Sequence, residues 1–236
     1  MNMLKRKLNT LLNSSKADTS GYISDGLVFM LDGYDAPMNG CWIDRMEGCA
    51  GLLNVNNTYD SVNKCYKSTA SSDNCITFMN RPLVSDKFTF EVVFKFDHDN
   101  TTSGTSARIT YGDPFQLFRS GAGHINYNFA KTGSAGFIDK KNLDLSKIHN
   151  VAVTRDLDTD RYIRPYWNGG ADDVTVTWRT IECLDQTVNQ NLYLFNTMYL
   201  NSPMIGNIYA LRIYNRKLTD YERLFNYQND RTRFHF

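Results

Sequence analysis

The sequence predicts an all-β sandwich with a short helical arm before it and one short helix near its end. Three observations carry this prediction: short apolar segments of period two, clusters of Gly, Asn and Asp between them, and no helical periodicity among them. A chain of 236 residues fits one large β domain of this kind. Because 42% of its residues are hydrophobic and 22% are charged, the composition is that of a folded globular protein.

The first twenty residues differ from the rest. Four leucines follow the spacing of one helical face, and the Asn-Ser-Ser run at 13–15 ends the pattern. The leucines of this face are Leu4, Leu8, Leu11 and Leu12. An isolated helix this short is marginal in water, so we expect it to dock on its own domain, on copies of itself or on a partner. We therefore divide the chain into an N-terminal amphipathic arm, residues 1–20, and a β domain, residues 21–236.

The clearest strand is 88–97, in which Phe88, Phe90, Val92, Phe94 and Phe96 alternate with mostly polar residues. This alternation predicts an antiparallel strand with one face on the core and the other turned to solvent. An earlier apolar strand lies at 26–33 between glycines. Further strands are expected at 106–112, 115–120, 124–130, 149–156, 161–169, 174–178, 191–198 and 205–215.

A helix is predicted to begin at Thr219, because Thr219 and Glu222 have the spacing of a capping box. Tyr221, Leu224 and Phe225 share one face of it, and we expect the helix to close one end of the sandwich. The basic and aromatic tail at 231–236 follows, and its aromatic rings are expected to tuck against the sandwich or a neighbour.

Charge and hydropathy exclude several classes of protein. The 26 basic and 25 acidic residues leave a net charge of +1, so the chain has no global field to hold nucleic acid. No apolar run approaches the ~20 residues of a membrane span, and the start lacks the apolar region of a secretory signal. We therefore expect synthesis in the cytoplasm without a signal peptide.

The five cysteines have no metal-site or redox-site spacing. Free thiols made in a reducing compartment are the favoured interpretation, and one or two bridges among the first four cysteines stay open.

Four segments resemble a known family. They are the strand GLVFMLDG, the loop that contains Trp42, Asp44 and Gly48, the hairpin beginning HNVAVTRD, and the closing segment 205–229 with its strand, turn and capped helix. Over roughly residues 21–229 the chain is identified as a member of the concanavalin A-like lectin/glucanase superfamily, in particular the laminin-G-like jelly rolls of bacterial and phage proteins. The resemblance implies two stacked antiparallel sheets of jelly-roll topology.

Such modules usually bind carbohydrate or protein surfaces, and some bind calcium, so the resemblance implies a binding role. The fold alone does not give the function. Relatives often carry acidic residues in the closing strand, where this chain has Tyr209 and Ala210.

The sequence predicts no enzyme. Glucanases of this superfamily carry an E-x-D-x-E strand that aims two carboxylates at the sugar, and this chain contains no such motif. A G-x-S-x-G nucleophile motif is also missing, and the four histidines show no catalytic spacing.

No cofactor is expected. Asp156, Asp158 and Asp160 begin like a calcium loop, but Arg161 and Trp167 stand where an EF-hand needs Gly and Glu. A solvated hairpin turn is the favoured interpretation there, and calcium bound by another combination of loops stays open.

Sugar binding requires an exposed aromatic ring with polar groups beside it. The candidate ligand-binding residues are Tyr166, Trp167, Asn168, Asp172 and Asp173 in one loop, Tyr127 and Asn128 on a neighbouring strand, and Trp42 with Asp44. For Trp42 and for one of the pair Tyr166 and Trp167, packing in the core or at a sheet edge is the favoured alternative.

The function predicted is a non-enzymatic, lectin-like surface-binding module that binds carbohydrate and is displayed on a larger assembly such as a phage virion. Its expected partners are a glycan or another cell-surface ligand, and assembly proteins that the arm contacts in a multi-copy or homo-oligomeric array. We expect it at a virion or extracellular surface. The alternative is a purely structural capsid or tail decoration protein without glycan affinity.

Overall fold

The structure is a computed structural model that describes residues 21–69, 74–79, 87–98, 106–112, 115–120, 124–128, 135–138, 143–156, 158–170, 191–197 and 202–236. The predicted arm, the predicted strand at 174–178 and the candidates Asp172 and Asp173 lie outside the described residues. Described strands are β1 (Leu27–Asp32), β2 (Cys41–Ile43), β3 (Ala50–Leu52), β4 (Asn57–Asp60), β5 (Cys65–Ser68), β6 (Ile76–Phe78), β7 (Lys87–Phe96), β8 (Ser106–Tyr111), β9 (Gln116–Ser120), β10 (Ile125–Asn128), β11 (Ala135–Ile138), β12 (His149–Asp156), β13 (Asp160–Trp167), β14 (Leu192–Leu194) and β15 (Gly206–Tyr214). One α-helix follows, α1 (Asp220–Phe234).

The strands form two antiparallel sheets, which confirms the predicted jelly-roll sandwich. In the first sheet the order is β13-β12-β7-β15-β5-β4, and β1 also pairs with β15. In the second sheet the order is β11-β10-β9-β8-β14-β6-β3-β2. Neighbours in space are distant in sequence, as in β7 and β15, so the sandwich depends on long-range pairing.

Two strands meet end to end along one side of β15. Its first part, Gly206–Ile208, pairs with β5, and its second part, Ala210–Tyr214, pairs with β1, with a bulge between them. Gly33 lies at this junction and donates its backbone N–H to the carbonyl of Tyr209 at 2.7 Å. A Cβ atom at Gly33 would collide with the backbone carbonyl oxygens of Lys64 and Tyr209, so the junction closes only around a residue without a side chain.

The core lies between the two sheets, and one face of β7 lies on it, as predicted. Its inward row of four phenylalanines and Val92 is completely buried, and Phe90 stacks on Phe115 of the opposite sheet with ring centroids 5.1 Å apart. Each such side chain contributes about 1.5–3 kcal/mol of burial free energy, so this row is a main source of stability.

The outer face of β7 is also buried, contrary to the prediction that it faces solvent. Thr89, Glu91 and Val93 are at most 1% exposed, because α1 lies across this face of the first sheet. The expectation that the helix closes one end of the sandwich is therefore wrong. The capping box is confirmed: Thr219 accepts from the Glu222 N–H, and the Glu222 side chain accepts from the Thr219 N–H.

The helix turns a largely polar face to the sheet and its apolar face to solvent. Its buried residues are Arg223, Asn226, Asp230 and Phe234. Tyr221, Leu224 and Phe225, which the sequence grouped on one face, are 75%, 41% and 40% exposed. The helix buries its polar face, the reverse of the usual arrangement, because the sheet beneath it carries the buried charges of Glu91 and Arg212. These charges require polar partners, which the helix supplies.

Within the described part of the chain, no helix is long and apolar enough to cross a membrane. Cys41, Cys49, Cys65 and Cys75 form no disulfide with one another, and burial raises the pKa of the Cys65 thiol to about 12.

Candidate functional site

Two of the predicted ligand-binding residues are structural. The indole of Trp42 is fully buried, stacks on Tyr66 with centroids 3.8 Å apart and donates to the carbonyl of Asp32. Asp44 is also fully buried, and its carboxylate accepts from the backbone N–H groups of Met30, Met46 and Glu47. Burial raises the pKa of Asp44 and these hydrogen bonds oppose the rise. The prediction that Trp42 and Asp44 contact a ligand is wrong, because neither side chain reaches solvent.

Tyr127 and Trp167 are likewise buried, at 2% and 4% exposure, because both belong to the core between the sheets. The ligand role predicted for them is therefore wrong, and for Trp167 the packing alternative holds. Tyr166 is partly buried, and the guanidinium of Arg223 lies 3.2 Å from its ring centroid, which covers one face of the ring. Asn128 lies at the end of β10.

Asn168 is the one predicted residue, among those whose side chains are described, that lines a cleft. It follows β13 in a short 3₁₀ turn, Asn168–Gly170, and its Oδ1 accepts from the backbone N–H of Asn150. The ring of Tyr227 on α1 packs against Gly169, so this turn and the helix form one wall together. The role of Asn168 in ligand binding stays a prediction.

The cleft has a volume of about 940 Å³ and lies where the last turns of α1 meet the outer face of the first sheet. We call it the basic cleft. Its lining residues are Tyr34, Val62, Asn63, Lys64, Lys95, Ser146, Lys147, Ile148, Asn168, Tyr209, Tyr227, Arg231, Arg233, Phe234, His235 and Phe236. A volume near the upper end of the range for ligand sites, about 300–1,000 Å³, is large enough for an oligosaccharide segment.

Aromatic rings form one side of the basic cleft. Phe234 packs between Tyr34 and Tyr209, with centroid distances of 5.8 and 5.4 Å. Tyr34 is 40% exposed, and its hydroxyl donates to the carbonyl of Arg233 at 2.7 Å. Its backbone N–H donates to Asp32 Oδ1, so both ends of Tyr34 are fixed and its ring is held at the rim. The predicted tucking of the tail aromatics against the sandwich is confirmed.

Positive charge forms the other side. Its basic residues come from the β4–β5 turn, from β7, from the loop before β12 and from the end of the helix: Lys64, Lys95, Lys147, Arg231, Arg233 and His235. Of the described residues that line the cleft, none is acidic. A concave surface with charge of one sign focuses the electrostatic potential, even on a chain whose net charge is only +1.

The carboxylates nearest in the fold are already engaged. Asp97 pairs with Lys67 at 3.2 Å and accepts from the Asn207 amide at 2.8 Å. Asp60 accepts from the turn N–H groups of Val62 and Asn63, which hold its pKa below the usual range. Within the cleft, Arg233 pairs with Asp32 at 2.8 Å and Lys147 with Asp144 at 3.5 Å, whereas Lys64 and Lys95 have no ion-pair partner among the described residues.

The buried polar group at the floor of the cleft is the Tyr209 hydroxyl. Burial raises the pKa of Tyr209 above its usual value, and the negative charge of Asp97 and Asp60 adds to the rise. The hydrogen bond between the Tyr209 and Cys65 side chains also raises the pKa of Tyr209, so this hydroxyl already has a partner within the fold.

No group of three metal-ligating side chains occurs in the described ranges. At the β12–β13 hairpin, Asp156 and Asp158 both pair with Lys87, and Asp156 accepts from the N–H of Asp158. This arrangement is the turn that the sequence favoured.

Sequence reasoning missed the basic cleft because its residues come from at least five separate segments. One signal was present: the tail at 231–236 alternates basic and aromatic residues. The fold brings Arg231 and Arg233 of this tail to the same cleft as Lys64 and Lys95. The helix also extends to Phe234, so most of this tail is its last turn.

The chain belongs to the concanavalin A-like lectin/glucanases superfamily. Its laminin-G-like family model matches residues 70–222, which is more than half of the chain. Among curated proteins, none matches this sequence.

Two solved structures illustrate the shared fold. The sialidase of Trypanosoma rangeli is similar with a TM-score of 0.66 and 12% identity, over 97% of this chain and 38% of that one. The ligand binding domain of Botulinum neurotoxin serotype D, solved in complex with N-acetylneuraminic acid, is similar with a TM-score of 0.67 and 15% identity, over 87% and 51%. This chain spans about half or less of each of these structures, and identities this low show the fold alone.

Proposed function

We propose that the chain is a non-enzymatic, lectin-like module that binds carbohydrate in the basic cleft without a cofactor. The observation that carries the proposal is the coexistence, in one open cleft, of a fixed and partly exposed aromatic ring and many polar donors. Ligand sites combine apolar lining with a few oriented polar groups, and a sugar needs both, for its C–H face and its hydroxyls. The carbohydrate-bound neighbour named above shares this fold and is consistent with the proposal.

Tyr34 is the proposed stacking platform. Its ring is held from both ends, so little conformational freedom is lost when a ligand covers it. The guanidinium of Arg233 lies 4.5 Å from the ring centroid, so a ligand would stack on the part of the ring that this group leaves exposed. Asn168 is the proposed hydrogen-bonding group for sugar hydroxyls. The absence of the E-x-D-x-E motif from the sequence supports a binding role over hydrolysis.

The test is a glycan array with the full chain, run in calcium and again in EDTA. We expect the wild-type chain to bind glycans on the array in both conditions. Binding should be lost in Tyr34→Ala and kept in Tyr34→Phe, because the phenylalanine preserves the aromatic ring. The matched control is Tyr221→Ala, because Tyr221 is a 75% exposed tyrosine near the start of α1 and outside the cleft. A folded chain that retains no glycan, or glycan binding that survives Tyr34→Ala, would refute the proposal, and loss in EDTA would refute its cofactor-free form.

We further propose that the module is displayed in many copies on a larger assembly, such as a phage virion, with residues 1–20 as the anchoring arm. The leucine stripe of the sequence supports this step. In the full chain, Leu8→Asp with Leu11→Asp should lower the oligomer mass measured by light scattering and leave glycan binding per folded chain unchanged. An unchanged oligomer mass in this double variant would show that the arm does not mediate assembly.

The second candidate is a structural decoration protein without glycan affinity. The exposed apolar row of α1, formed by Tyr221, Leu224 and Phe225, favours it because such a row is suited to contact with a neighbouring protein. A blank array from a folded chain, together with loss of assembly in Leu224→Glu, would establish this alternative.

A further inference from the structure

The basic cleft holds two lysines whose charges are not balanced by an ion pair. Lys64 and Lys95 form no ion pair with any residue in the described part of the chain. Two other basic residues of the cleft are in ion pairs. Arg233 pairs with the buried carboxylate of Asp32 at 2.8 Å, and Lys147 pairs with Asp144 at 3.5 Å. Arg231 donates from Nε to the backbone oxygen of Phe236 at 2.9 Å. Lys64 and Lys95 are therefore the cleft charges with no such partner among the described residues.

The fold holds Lys64 in place by backbone contacts. Its φ of 53° sits in the turn that Asp60 organises by accepting from the N–H groups of Val62 and Asn63. The side chain of Lys64 then reaches the stacking platform: its Nζ lies 5.7 Å from the ring centroid of Tyr34. Lys95 projects from the outer face of β7, is partly buried, and lies in the same cleft.

A ring stacked on Tyr34 would place its substituents beside this ammonium group. A neutral sugar offers only hydroxyls there, which leave the lysine charge unmatched. A carboxylate on the ring offers a charge-assisted hydrogen bond instead, which is roughly twice as strong as a neutral one. No Asp or Glu side chain lines the described part of the cleft to repel it.

We infer that the ligand class of the basic cleft is a carboxylate-bearing sugar, with its ring on Tyr34 and its carboxylate at Lys64 and Lys95. This inference rests on the proposed function and specifies its ligand. The carboxylate can belong to a sialic acid or to a uronic acid, since both place the same group on a sugar ring.

The experiment measures dissociation constants for the full chain with 3′-sialyllactose against lactose, and with digalacturonic acid against its methyl ester. We expect the acidic member of at least one pair to bind about tenfold more tightly at low salt, and the preference to shrink as salt screens the charges. Whichever acidic sugar wins identifies the source of the carboxylate.

The variants are Lys64→Gln, Lys95→Gln and the charge-preserving Lys64→Arg. Each Gln variant should remove most of the preference for the acidic sugar, so that the ratio of acidic to neutral affinity approaches one, and Lys64→Arg should retain the preference. Lys217→Gln is the matched control, because Lys217 lies before α1, at the opposite end of the helix from the cleft.

Three results would overturn the inference. Equal affinity for acidic and neutral sugars would show that the chain binds carbohydrate but that a carboxylate on the sugar is not what it recognises. A preference unaffected by Lys64→Gln and Lys95→Gln would place the acidic ligand elsewhere. Binding of a short DNA duplex as tight as that of the acidic sugars would show a general polyanion surface, whereas no sugar binding at all would refute the proposed function itself.

Discussion

Arg212 of β15 and Asp230 of α1 form a fully buried bidentate ion pair, with nitrogen–oxygen distances of 2.8 and 2.6 Å. The Nε of Arg212 donates to Glu91 of β7 at 2.7 Å, and Asn226 of α1 donates to the same carboxylate at 3.0 Å. One helix and two strands are thus joined by charges that have no contact with water. This network explains why α1 buries a polar face.

Breaking this pair should be costly. In Asp230→Asn the side chain keeps its volume but loses its charge, and Arg212 is left with Glu91 alone. Glu91 still balances the charge of Arg212, so the cost is that of weakening the buried hydrogen bonds of Arg212 to residue 230, about 1–3 kcal/mol of unfolding free energy. The control is Asp220→Asn on the same helix, an 87% exposed carboxylate whose pair with Arg223 should contribute about 1 kcal/mol or less. Urea unfolding of both variants measures the difference, and equal losses would contradict the role given to Asp230.

The capping carboxylate of α1 should make stability depend on acid pH. Glu222 accepts from Arg216 and from the Thr219 N–H, and these bonds lower its pKa from 4.5 to about 2. Because the folded state depresses this pKa, the contribution is complete above pH 4.5 and is lost as the pH falls towards 2. The free energy of unfolding of the wild type should exceed that of Glu222→Gln by about 1 kcal/mol or less at neutral pH, since the pair is partly exposed.

Urea titrations at pH 7, 4.5, 3.5 and 2.5 check this. The gap between the wild type and Glu222→Gln should be constant between pH 7 and about 5.5 and should narrow below 4.5. A gap of the same size at pH 7 and pH 2.5 would show that Glu222 titrates normally in the folded chain.

The strands and the helix start were predictable because their signals are local. A strand such as β7 shows its period in ten consecutive residues, and the capping box of α1 needs only Thr219 and Glu222. The placement of the helix was not predictable from local signals. Its buried residues Asn226 and Asp230 are explained only by their partners Glu91 and Arg212, and these two partners lie more than 100 residues apart in the sequence.

The site was predicted poorly for the same reason. Aromatic residues next to Asn, Gly and Asp indicate a sugar loop by composition, but Trp42 and Trp167 point into the core, and sequence alone does not give that direction. The basic cleft joins Tyr34, Lys64 and Arg233 through tertiary contacts, so no window of the sequence contains it.

The correction at Trp42 can be tested directly. Trp42→Ala should cost about 3–5 kcal/mol of unfolding free energy, because it leaves a cavity beside Tyr66. Trp42→Phe keeps an aromatic ring against Tyr66 and loses the hydrogen bond to the Asp32 carbonyl, so it should cost less. Glycan affinity per folded molecule should be unchanged in Trp42→Phe, measured by calorimetry with the active fraction fixed by titration. If fully folded Trp42→Phe loses glycan affinity, Trp42 contributes to the ligand site after all.

Gly33 packs against the backbone of two residues of the basic cleft, Lys64 and Tyr209. An alanine there would place its Cβ against the backbone oxygens of Lys64 and Tyr209, and backbone atoms in paired strands have little room to move. Overpacking of this kind costs about 1–3 kcal/mol, and it should push the Lys64 turn away from Tyr34. Gly33→Ala should therefore lower both the unfolding midpoint and the preference for acidic sugars in the fraction that remains folded.

Gly40→Ala is the control for Gly33→Ala, because nothing lies within 4 Å of the added Cβ and the only penalty is the φ of 75°. A non-glycine residue in that region costs about 1–2 kcal/mol, and Gly40 does not line the cleft. The two variants should therefore lose comparable stability and differ in ligand selectivity. If both keep the acidic preference, the spacing of Lys64 and Tyr34 does not set the specificity, and the carboxylate is bound by Lys95 without Lys64.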